Sequence, residues 1–132
     1  MLYKKNIKII TDKRGSLVVF QRHNFKLIKI NRVFVLNFKK INMSRGNHAH
    51  KKTSQFLVCV AGKIKVTITN QKGERKIYKL NNMKSGLLIK PYNWIEIKAI
   101  EEKSALMCFA DMKYDKKEYI NKFEDFKKTK HR

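Results

Sequence analysis

The sequence has few acidic residues, cysteines, prolines and glycines for its 132 residues. It contains 10 Asp and Glu against 32 Lys and Arg, with two Cys, one Pro and five Gly. The two cysteines lie in separate apolar runs, which excludes a disulfide scaffold and a paired-cysteine metal site, so we expect free buried thiols. No apolar run is long enough to span a bilayer and no stretch resembles a signal peptide. We therefore expect a cytoplasmic protein without a membrane partner.

The excess of basic residues gives a net charge of +22. A charge of this size is compatible with a polyanionic partner such as nucleic acid. The lysines, however, are spread over the whole chain, and no Arg-rich arm, zinc-finger spacing or helix-turn-helix pattern concentrates them. We therefore expect no nucleic-acid binding, and a preference for a small anionic substrate.

Short apolar runs separated by Gly and Asn predict a single all-β domain over residues 1–132, of the sandwich, jelly-roll or barrel type. The clearest strand covers 63–69, where Ile64, Val66 and Ile68 alternate with polar residues. Further strands are predicted at 7–10, 16–21, within 26–38, around the histidines at 48 and 50, and at 55–61, 75–80, 85–90, 94–99 and 104–110.

One short helix is predicted at the end of the chain. Asp115 is its expected N-cap, with Glu118 at the capping-box position. Tyr119, Ile120, Phe123 and Phe126 are expected to form its apolar side.

The segment around His48 and His50 contains the residues most suited to chemistry. Alternate residues of a strand point to one face, so both imidazoles should project into the same space, about 7 Å apart at the backbone, with Ala49 pointing away. Arg45 precedes the pair. Two groups that titrate near neutral pH in a basic environment indicate a functional site.

The spacing from His48 through His50 and Gln55 to Gly62 is that of the first cupin motif, with Gln in place of the metal-binding Glu. The second motif is incomplete, because Gly86 and Pro91 are not followed by His. A transition-metal site of this kind needs about three or four N or O ligands. The positive charges of Arg45 and Lys51 also oppose a dication, and Glu96 is the one carboxylate that could restore a site. We therefore expect no metal.

Without a metal, the two histidines are available for proton transfer. The simpler interpretation is that they only hydrogen-bond a ligand. Two histidines on one strand face beside an arginine favour catalysis.

The segment from Arg45 to Lys51, RGNHAHK, with Gln55, resembles the sugar-nucleotide 3,4-ketoisomerases of the cupin superfamily. Other segments match the family in the same order: 12–17 (DKRGSL), 32–34 (RVF), 91–94 (PYNW) and 114–126. Ile95 departs from the pattern, because these enzymes tend to have His or Arg after the tryptophan.

The resemblance implies a single cupin-type jelly roll that forms a homodimer and needs no cofactor. It implies conversion of dTDP-4-keto-6-deoxyglucose into a dTDP-3-keto-6-deoxyhexose through an enediol, for 3-amino-3,6-dideoxy sugar synthesis. On this basis His50 is expected to remove the C3 proton, while His48 moves the hydroxyl proton or polarises the carbonyl. Arg14 and Arg45 are expected to stabilise the enolate oxygen.

The expected substrate-binding residues are basic, amide and aromatic. Arg32, Arg45 and Lys51 suit the diphosphate, Gln55 suits the sugar or base, and Trp94 either stacks on a ring or packs in the core. Two alternatives remain open. One is a deoxysugar 3,5-epimerase of the same fold, against which stands the lack of an acidic residue near the histidines in sequence. The other is a non-catalytic cupin that binds a sugar nucleotide.

Overall fold

The structure is a computed structural model that describes residues 3–21, 28–83 and 85–129. The strands are β1 Tyr3–Asn6, β2 Ile10–Asp12, β3 Gly15–Leu17, β4 Arg32–Asn37, β5 Ser44–His50, β6 Gln55–Ala61, β7 Lys63–Thr69, β8 Arg75–Asn81, β9 Ser85–Ile89, β10 Trp94–Ala99, β11 Ala105–Ala110 and β12 Tyr119–Ile120. A 3₁₀ turn covers Lys116–Glu118, and the helix α1 covers Phe123–Lys128.

Two five-stranded antiparallel sheets form the body of the protein. The first has the strand order β1-β9-β6-β11-β4, and the second has the order β12-β5-β10-β7-β8. Strands β2 and β3 form a separate hairpin. From β4 to β12 consecutive strands alternate between the two sheets, except for the β7–β8 hairpin, and the fold is the predicted all-β jelly roll.

The main core lies between the two sheets. Its members from the first sheet include Leu57, Leu87 and Leu106, and those from the second include Val66 and Ile97. The alternation seen in β7 is explained by this arrangement, because Ile64, Val66 and Ile68 all face the opposite sheet and are at most 1% exposed.

Each sheet is also partly covered on its outer face. Phe56 and Phe109, on the outer face of the first sheet, pack against Phe20 and other apolar residues of the N-terminal part of the chain. On the outer face of the second sheet, Ala49 packs with Ile120 and other residues of the C-terminal part. Strand β6 is buried along most of its length for this reason.

The N-terminal strands differ from the prediction, since residues 7–9 of the strand expected at 7–10 lie between β1 and β2. The strand expected at 16–21 ends at residue 17. Of the strand pattern expected within 26–38, residues 26–27 lie outside the described residues, 28–30 are not in a strand, and β4 accounts for the rest.

The prediction of one continuous C-terminal helix from Asp115 is wrong. Asp115 does act as an N-cap, accepting a hydrogen bond from the backbone of Lys117 at 3.0 Å, but the turn that it caps is 3₁₀ and ends at Glu118. Tyr119 and Ile120 are extended and pair with β5. The helix starts only at Phe123. Pairing with β5 brings Glu118 and Tyr119 next to the histidines, and this contact outweighs the local helical pattern.

The two cysteines are free and buried, as predicted. Burial raises the pKa of the Cys59 thiol to about 11 and that of Cys108 to about 12. Within the described residues, no helix combines the length and the apolar character that crossing a membrane requires.

A β-bulge in β5 decides which way Arg45 faces. His48 lies opposite Ile95 and Gly46 opposite Glu96, so the ladder skips Asn47. In a regular strand Arg45 would point away from His48. After the bulge Arg45 pairs with Ile97, which faces the space between the sheets, so Arg45 and the histidines share one face.

The bulge depends on Gly46. Its φ is +85°, and a Cβ added there would lie 3.0 Å from the carbonyl oxygen of Ile95. We expect Gly46→Ala to lower the free energy of unfolding by about 1–3 kcal/mol, because the left-handed conformation and the backbone contact are both unfavourable for alanine. Urea denaturation measures this change.

The matched control is Gly73→Ala. Gly73 has the same φ of +85° but no atom within 4 Å of its added Cβ. The Gly73 variant should lose less stability than the Gly46 variant, because it carries only the conformational cost. Equal losses would show that the contact with Ile95 does not restrict the residue at position 46.

Candidate active site

The two histidines predicted from sequence lie together at the end of β5. Their Nε2 atoms are 3.2 Å apart, which is a hydrogen bond, and their rings meet edge to face with centroids 4.8 Å apart. Ala49 is fully buried on the other face of the strand. The strand alternation therefore predicts their common face correctly.

His50 is held by a residue far away in the sequence. Its Nδ1 hydrogen-bonds to Oε1 of Glu118, and both side chains are almost completely buried, at 3% and 4% exposed. Glu118 is brought there by the 3₁₀ turn that precedes β12. Because Tyr119 pairs with His50 in the β12–β5 ladder, the carboxylate stands directly beside the imidazole.

The turn after β5 surrounds the Glu118 carboxylate with donors. Oε2 accepts from the backbone amides of Lys51 at 3.1 Å, Lys52 at 3.1 Å and Thr53 at 3.3 Å. Oε1 accepts from Thr53 Oγ1 at 2.7 Å. A buried carboxylate needs such partners to stay ionised. The site therefore contains a fixed negative charge.

Burial and these hydrogen bonds set the protonation states. Burial lowers the pKa of both His48 and His50 from the ordinary value of 6.5, and Glu118 opposes this shift without reversing it. Burial acts to raise the pKa of Glu118, but the hydrogen bonds from His50 and Thr53 outweigh it and the pKa is lowered. At neutral pH the network holds one carboxylate and two neutral imidazoles.

This state fixes the direction of the hydrogen bonds. A neutral His50 that donates Nδ1–H to the carboxylate has a bare Nε2. That atom accepts from Nε2–H of His48. The backbone of Gly46 also hydrogen-bonds the His48 ring and acts to raise its pKa. Glu118, His50 and His48 thus form a chain of hydrogen bonds that begins at a buried anion.

A cavity between the two sheets opens beside His48. Its volume is about 260 Å³, just below the range of about 300–1,000 Å³ that is usual for drug-sized ligands. The polar and aromatic side chains in its wall are Arg45, His48, Gln55, Phe34 and Tyr119. His50 lies behind His48 and is not part of this wall. The cavity suits a ring-sized group placed against His48.

One wall of the cavity is apolar. Ile95 lies opposite His48 in the β10–β5 ladder and is 2% exposed. Leu57, Ile97 and Cys108 continue this surface. Ile95, the residue at which this chain departs from the family pattern, therefore lines the cavity.

Tyr119 closes the cavity from the C-terminal side. Its ring centroid is 5.0 Å from that of His48 and 4.4 Å from that of His50. Its hydroxyl accepts a hydrogen bond from Nη2 of Arg32 at 3.3 Å. Arg32, predicted as a substrate-binding residue, is therefore next to the histidine pair.

Arg14 and Lys51 do not line this cavity. Arg14 is on the β2–β3 hairpin, with its side chain 90% exposed and paired with Asp12 at 2.5 Å. It borders a separate shallow depression. The side chain of Lys51 is exposed, and only its backbone amide contributes to the site. The predicted roles of both residues stay predictions.

Trp94, expected either to stack on a ring or to pack in the core, lies away from this cavity. Because it precedes the cavity-lining Ile95 in β10, it faces the opposite side of the sheet. There it is 6% exposed and packs with Ala49, Phe123 and Phe126. Trp94 anchors the C-terminal segment on the outer face of the second sheet.

The described ranges contain no group of three or more His, Cys, Asp or Glu side chains placed to hold a metal ion. Glu96, the carboxylate considered for such a site, neighbours Ile95 in β10 and so points to the face opposite His48. The expectation that no metal binds stays a prediction.

Sequence reasoning missed Glu118 and Tyr119. Both residues fitted a helix pattern, and 68 residues separate Glu118 from His50. The one available signal was the short Tyr-Ile pair after a capping residue, which is as compatible with a strand as with a helix. Nothing local to Glu118 indicates a histidine partner.

Comparison with known proteins gives consistent matches over nearly the whole chain. The family described as FdtA: WxcM-like, C-terminal matches residues 3–131. The TDP-4-oxo-6-deoxy-alpha-D-glucose-3,4-oxoisomerase of Aneurinibacillus thermoaerophilus is 34% identical over 123 residues, which are 93% of this chain and 88% of that protein.

Two solved structures of one protein are similar to the whole fold. QdtA, a sugar 3,4-ketoisomerase from Thermoanaerobacterium thermosaccharolyticum solved with TDP, has a TM-score of 0.89 and 30% identity, covering 96% of this chain and 92% of its own. A mutant of QdtA solved with TDP-4-keto-6-deoxyglucose also has a TM-score of 0.89, with 29% identity and coverage of 96% and 91%.

The network predicts how the histidines titrate. In an NMR titration the imidazole signals of His48 and His50 should have midpoints below 6.5, because burial disfavours the charged ring. Glu118→Gln should move the His50 midpoint further down, since it removes the anion that favours imidazolium. The control is Glu124→Gln on the exposed face of α1, which should leave both midpoints unchanged. A His50 midpoint that rises in the Glu118 variant would contradict the assigned network.

Proposed function

Because the chain belongs to the FdtA family, described as WxcM-like, C-terminal, we propose that it is a 3,4-ketoisomerase. It converts TDP-4-keto-6-deoxyglucose into a TDP-3-keto-6-deoxyhexose. The observation that carries the proposal is the pair of imidazoles, with Nε2 atoms 3.2 Å apart, of which one lines a cavity and the other is held by a buried carboxylate. Relatives of 34% and 30% identity are named for this reaction.

The reaction moves one proton between neighbouring carbons and another between their oxygens. The C4 carbonyl acidifies the proton on C3, and a base removes it to give an enediolate. The electron pair of the C–H bond forms the C3–C4 double bond, while the carbonyl electrons move to the C4 oxygen. The hydroxyl proton then passes from the C3 oxygen to the C4 oxygen, C4 takes a proton, and the ketone is left at C3. The whole conversion is redox-neutral.

The geometry favours His48 as the base that touches the sugar. The sequence assigned the C3 proton to His50, but His50 is 3% exposed and lies outside the cavity wall. His48 lines the cavity and donates to His50. We therefore assign the C3 and C4 protons to His48, and to His50 the stabilisation of the imidazolium that forms on it. Acid–base catalysis of this kind contributes about 10²–10⁴ in rate.

Arg45 and Gln55 are placed to bind the substrate. Arg45 lines the cavity while remaining exposed, so its guanidinium is available to a diphosphate outside. Gln55 lies in the inner wall and is 5% exposed, which suits a hydrogen bond to the sugar. The sugar is inside the cavity and the nucleotide extends from its mouth.

The fold removes the sequence-based objection to a 3,5-epimerase. The lack of an acidic residue near the histidines in sequence does not count against it, since Glu118 binds His50 in the fold. The preference for 3,4-isomerisation rests instead on the relatives, whose names state that reaction. Catalysis rather than binding alone is supported by the buried Glu118, because a ligand-binding histidine pair needs no fixed anion behind it.

We further propose a cytoplasmic homodimer. The outer face of β4, at one edge of the first sheet, exposes Val33 and Val35 at 51% and 49%, and a second copy would cover such apolar side chains. Two free cysteines fit a reducing compartment. The 3-keto product is the kind of compound that a transaminase would convert into a 3-amino-3,6-dideoxy sugar.

The reaction can be followed by proton NMR in heavy water with TDP-4-keto-6-deoxyglucose as substrate. We expect the ketone to move to C3, with solvent deuterium entering at C3 and C4, because both carbons exchange protons with His48. Entry at C3 and C5 would instead show 3,5-epimerisation. No exchange with the wild-type protein would refute both enzymatic assignments and leave the binding cupin.

Asparagine variants separate the roles of the two histidines. His48→Asn should lower kcat by about 10²–10⁴, because it removes the base itself. His50→Asn should lower kcat less, since His48 remains in the cavity. Calorimetric titration with TDP provides the control, and both variants should bind it as the wild type does. A larger loss of kcat in the His50 variant would return the role of base to His50.

A further inference from the structure

Tyr119 places a hydroxyl beside the histidines from a different strand. It lines the same cavity as His48, and its ring packs against both imidazoles. The two-residue strand β12 fixes its backbone by pairing Tyr119 with His50. The mechanism given above assigns no task to this side chain.

The Tyr119 hydroxyl accepts a hydrogen bond from a cationic side chain. Arg32 Nη2 donates to its oxygen at 3.3 Å. A phenol has one hydrogen to donate and two lone pairs. With one lone pair facing Arg32, the hydrogen and the other lone pair are available to oxygens in the cavity. The positive charge behind the hydroxyl makes it a stronger donor.

In the described part of the chain, no carboxylate forms an ion pair with the positive charge of Arg32. Its guanidinium lies over the rings of Phe34 and Tyr114, with centroids 5.1 and 5.7 Å away. In the described part of the chain, its Nε is buried with no hydrogen-bond partner, and the ion pairs of that part do not include it. A partly buried cation without an anionic partner is unfavourable. A negative charge that develops in the adjacent cavity would offset this cost.

On the basis of the function proposed above, we propose that Tyr119 is a catalytic residue that binds the enediolate oxygens, with Arg32 as the residue that positions it. When His48 takes the C3 proton, the C4 oxygen becomes negative and accepts the Tyr119 hydrogen. The phenol hydrogen moves to the C4 oxygen as the C3 hydroxyl returns a proton to the phenol. The enediolate charge then lies on the C3 oxygen, which becomes the ketone when C4 is protonated. Tyr119 ends as it began.

This assignment changes the expected function of Arg32. The sequence placed it among the diphosphate-binding residues, but the structure puts it next to the reacting end of the cavity, where its charge acts on both His48 and His50. Arg45, which is exposed, is better placed for the diphosphate.

The test compares two tyrosines that both touch this cluster. Tyr119→Phe removes only the hydroxyl, and we expect kcat to fall by about 10²-fold, the usual effect of losing one oxyanion donor. KM and the Kd for TDP should change less than about twofold, since the ring stays in place. The matched control is Tyr114→Phe, whose ring contacts Tyr119 and Arg32 but which is 63% exposed. It should keep wild-type kcat.

Two substitutions of Arg32 test whether its positive charge supports the reaction. Arg32→Met should lower kcat with TDP binding retained, and Arg32→Lys should recover part of the loss because it restores a cation. Thermal unfolding of each variant checks that the fold is intact. If Arg32→Met loses TDP binding while kcat at saturating substrate is unchanged, Arg32 binds the diphosphate and its assigned role is wrong.

These outcomes are separate from a failure of the proposed function. Absence of deuterium exchange with the wild-type protein refutes the isomerase itself. Wild-type turnover together with near-normal kcat in Tyr119→Phe refutes only the role of Tyr119. Equal losses in the two tyrosine variants would show that the effect is not specific to the Tyr119 hydroxyl, and would also refute its assigned role.

Discussion

Glu118 accepts hydrogen bonds from His50, from Thr53 and from three consecutive backbone amides in the turn after β5. These contacts join the C-terminal segment to the strand that carries both histidines. They also keep the carboxylate ionised where water cannot reach it, because each lone pair meets a donor. The tautomer of His50 and, through it, the hydrogen bond to His48 depend on this carboxylate.

The side of β5 on which Arg45 lies depends on the backbone conformation at Gly46. Strand alternation alone would put Arg45 on the side opposite His48 and His50. The bulge at Gly46 inserts one residue into β5 and so returns Arg45 to the cavity. Gly46 adopts a φ of +85° and approaches the backbone of Ile95 closely, which explains why this position needs glycine. Only glycine adopts this backbone conformation without strain, and this conformation keeps Arg45 and His48 on one face.

Features encoded by neighbouring residues could be predicted from the sequence. The alternation of Ile64, Val66 and Ile68 identified β7, and the spacing of His48 and His50 put both rings on one face. Features encoded by distant residues could not. No pattern around residue 118 indicates a partner 68 residues earlier, and the capping signal at residue 115 is satisfied equally by a 3₁₀ turn. A helical period of apolar residues cannot distinguish a helix from a turn followed by a two-residue strand.

The positions of the charges in the site match the charge separation that the reaction produces. Glu118 supplies a negative charge at one end, behind His50 and His48, and Arg32 supplies a positive charge at the other end, behind Tyr119. Removing a proton from a sugar carbon separates charge in the same direction, with the proton going to the imidazoles and the negative charge to oxygen. In the proposed reaction both fixed charges stabilise the enediolate more than the neutral 4-keto sugar ring, and they are in place before the substrate arrives. Burial of the same groups lowers the pKa of His48 and so favours its neutral form, which is the form that its proposed role as a base requires.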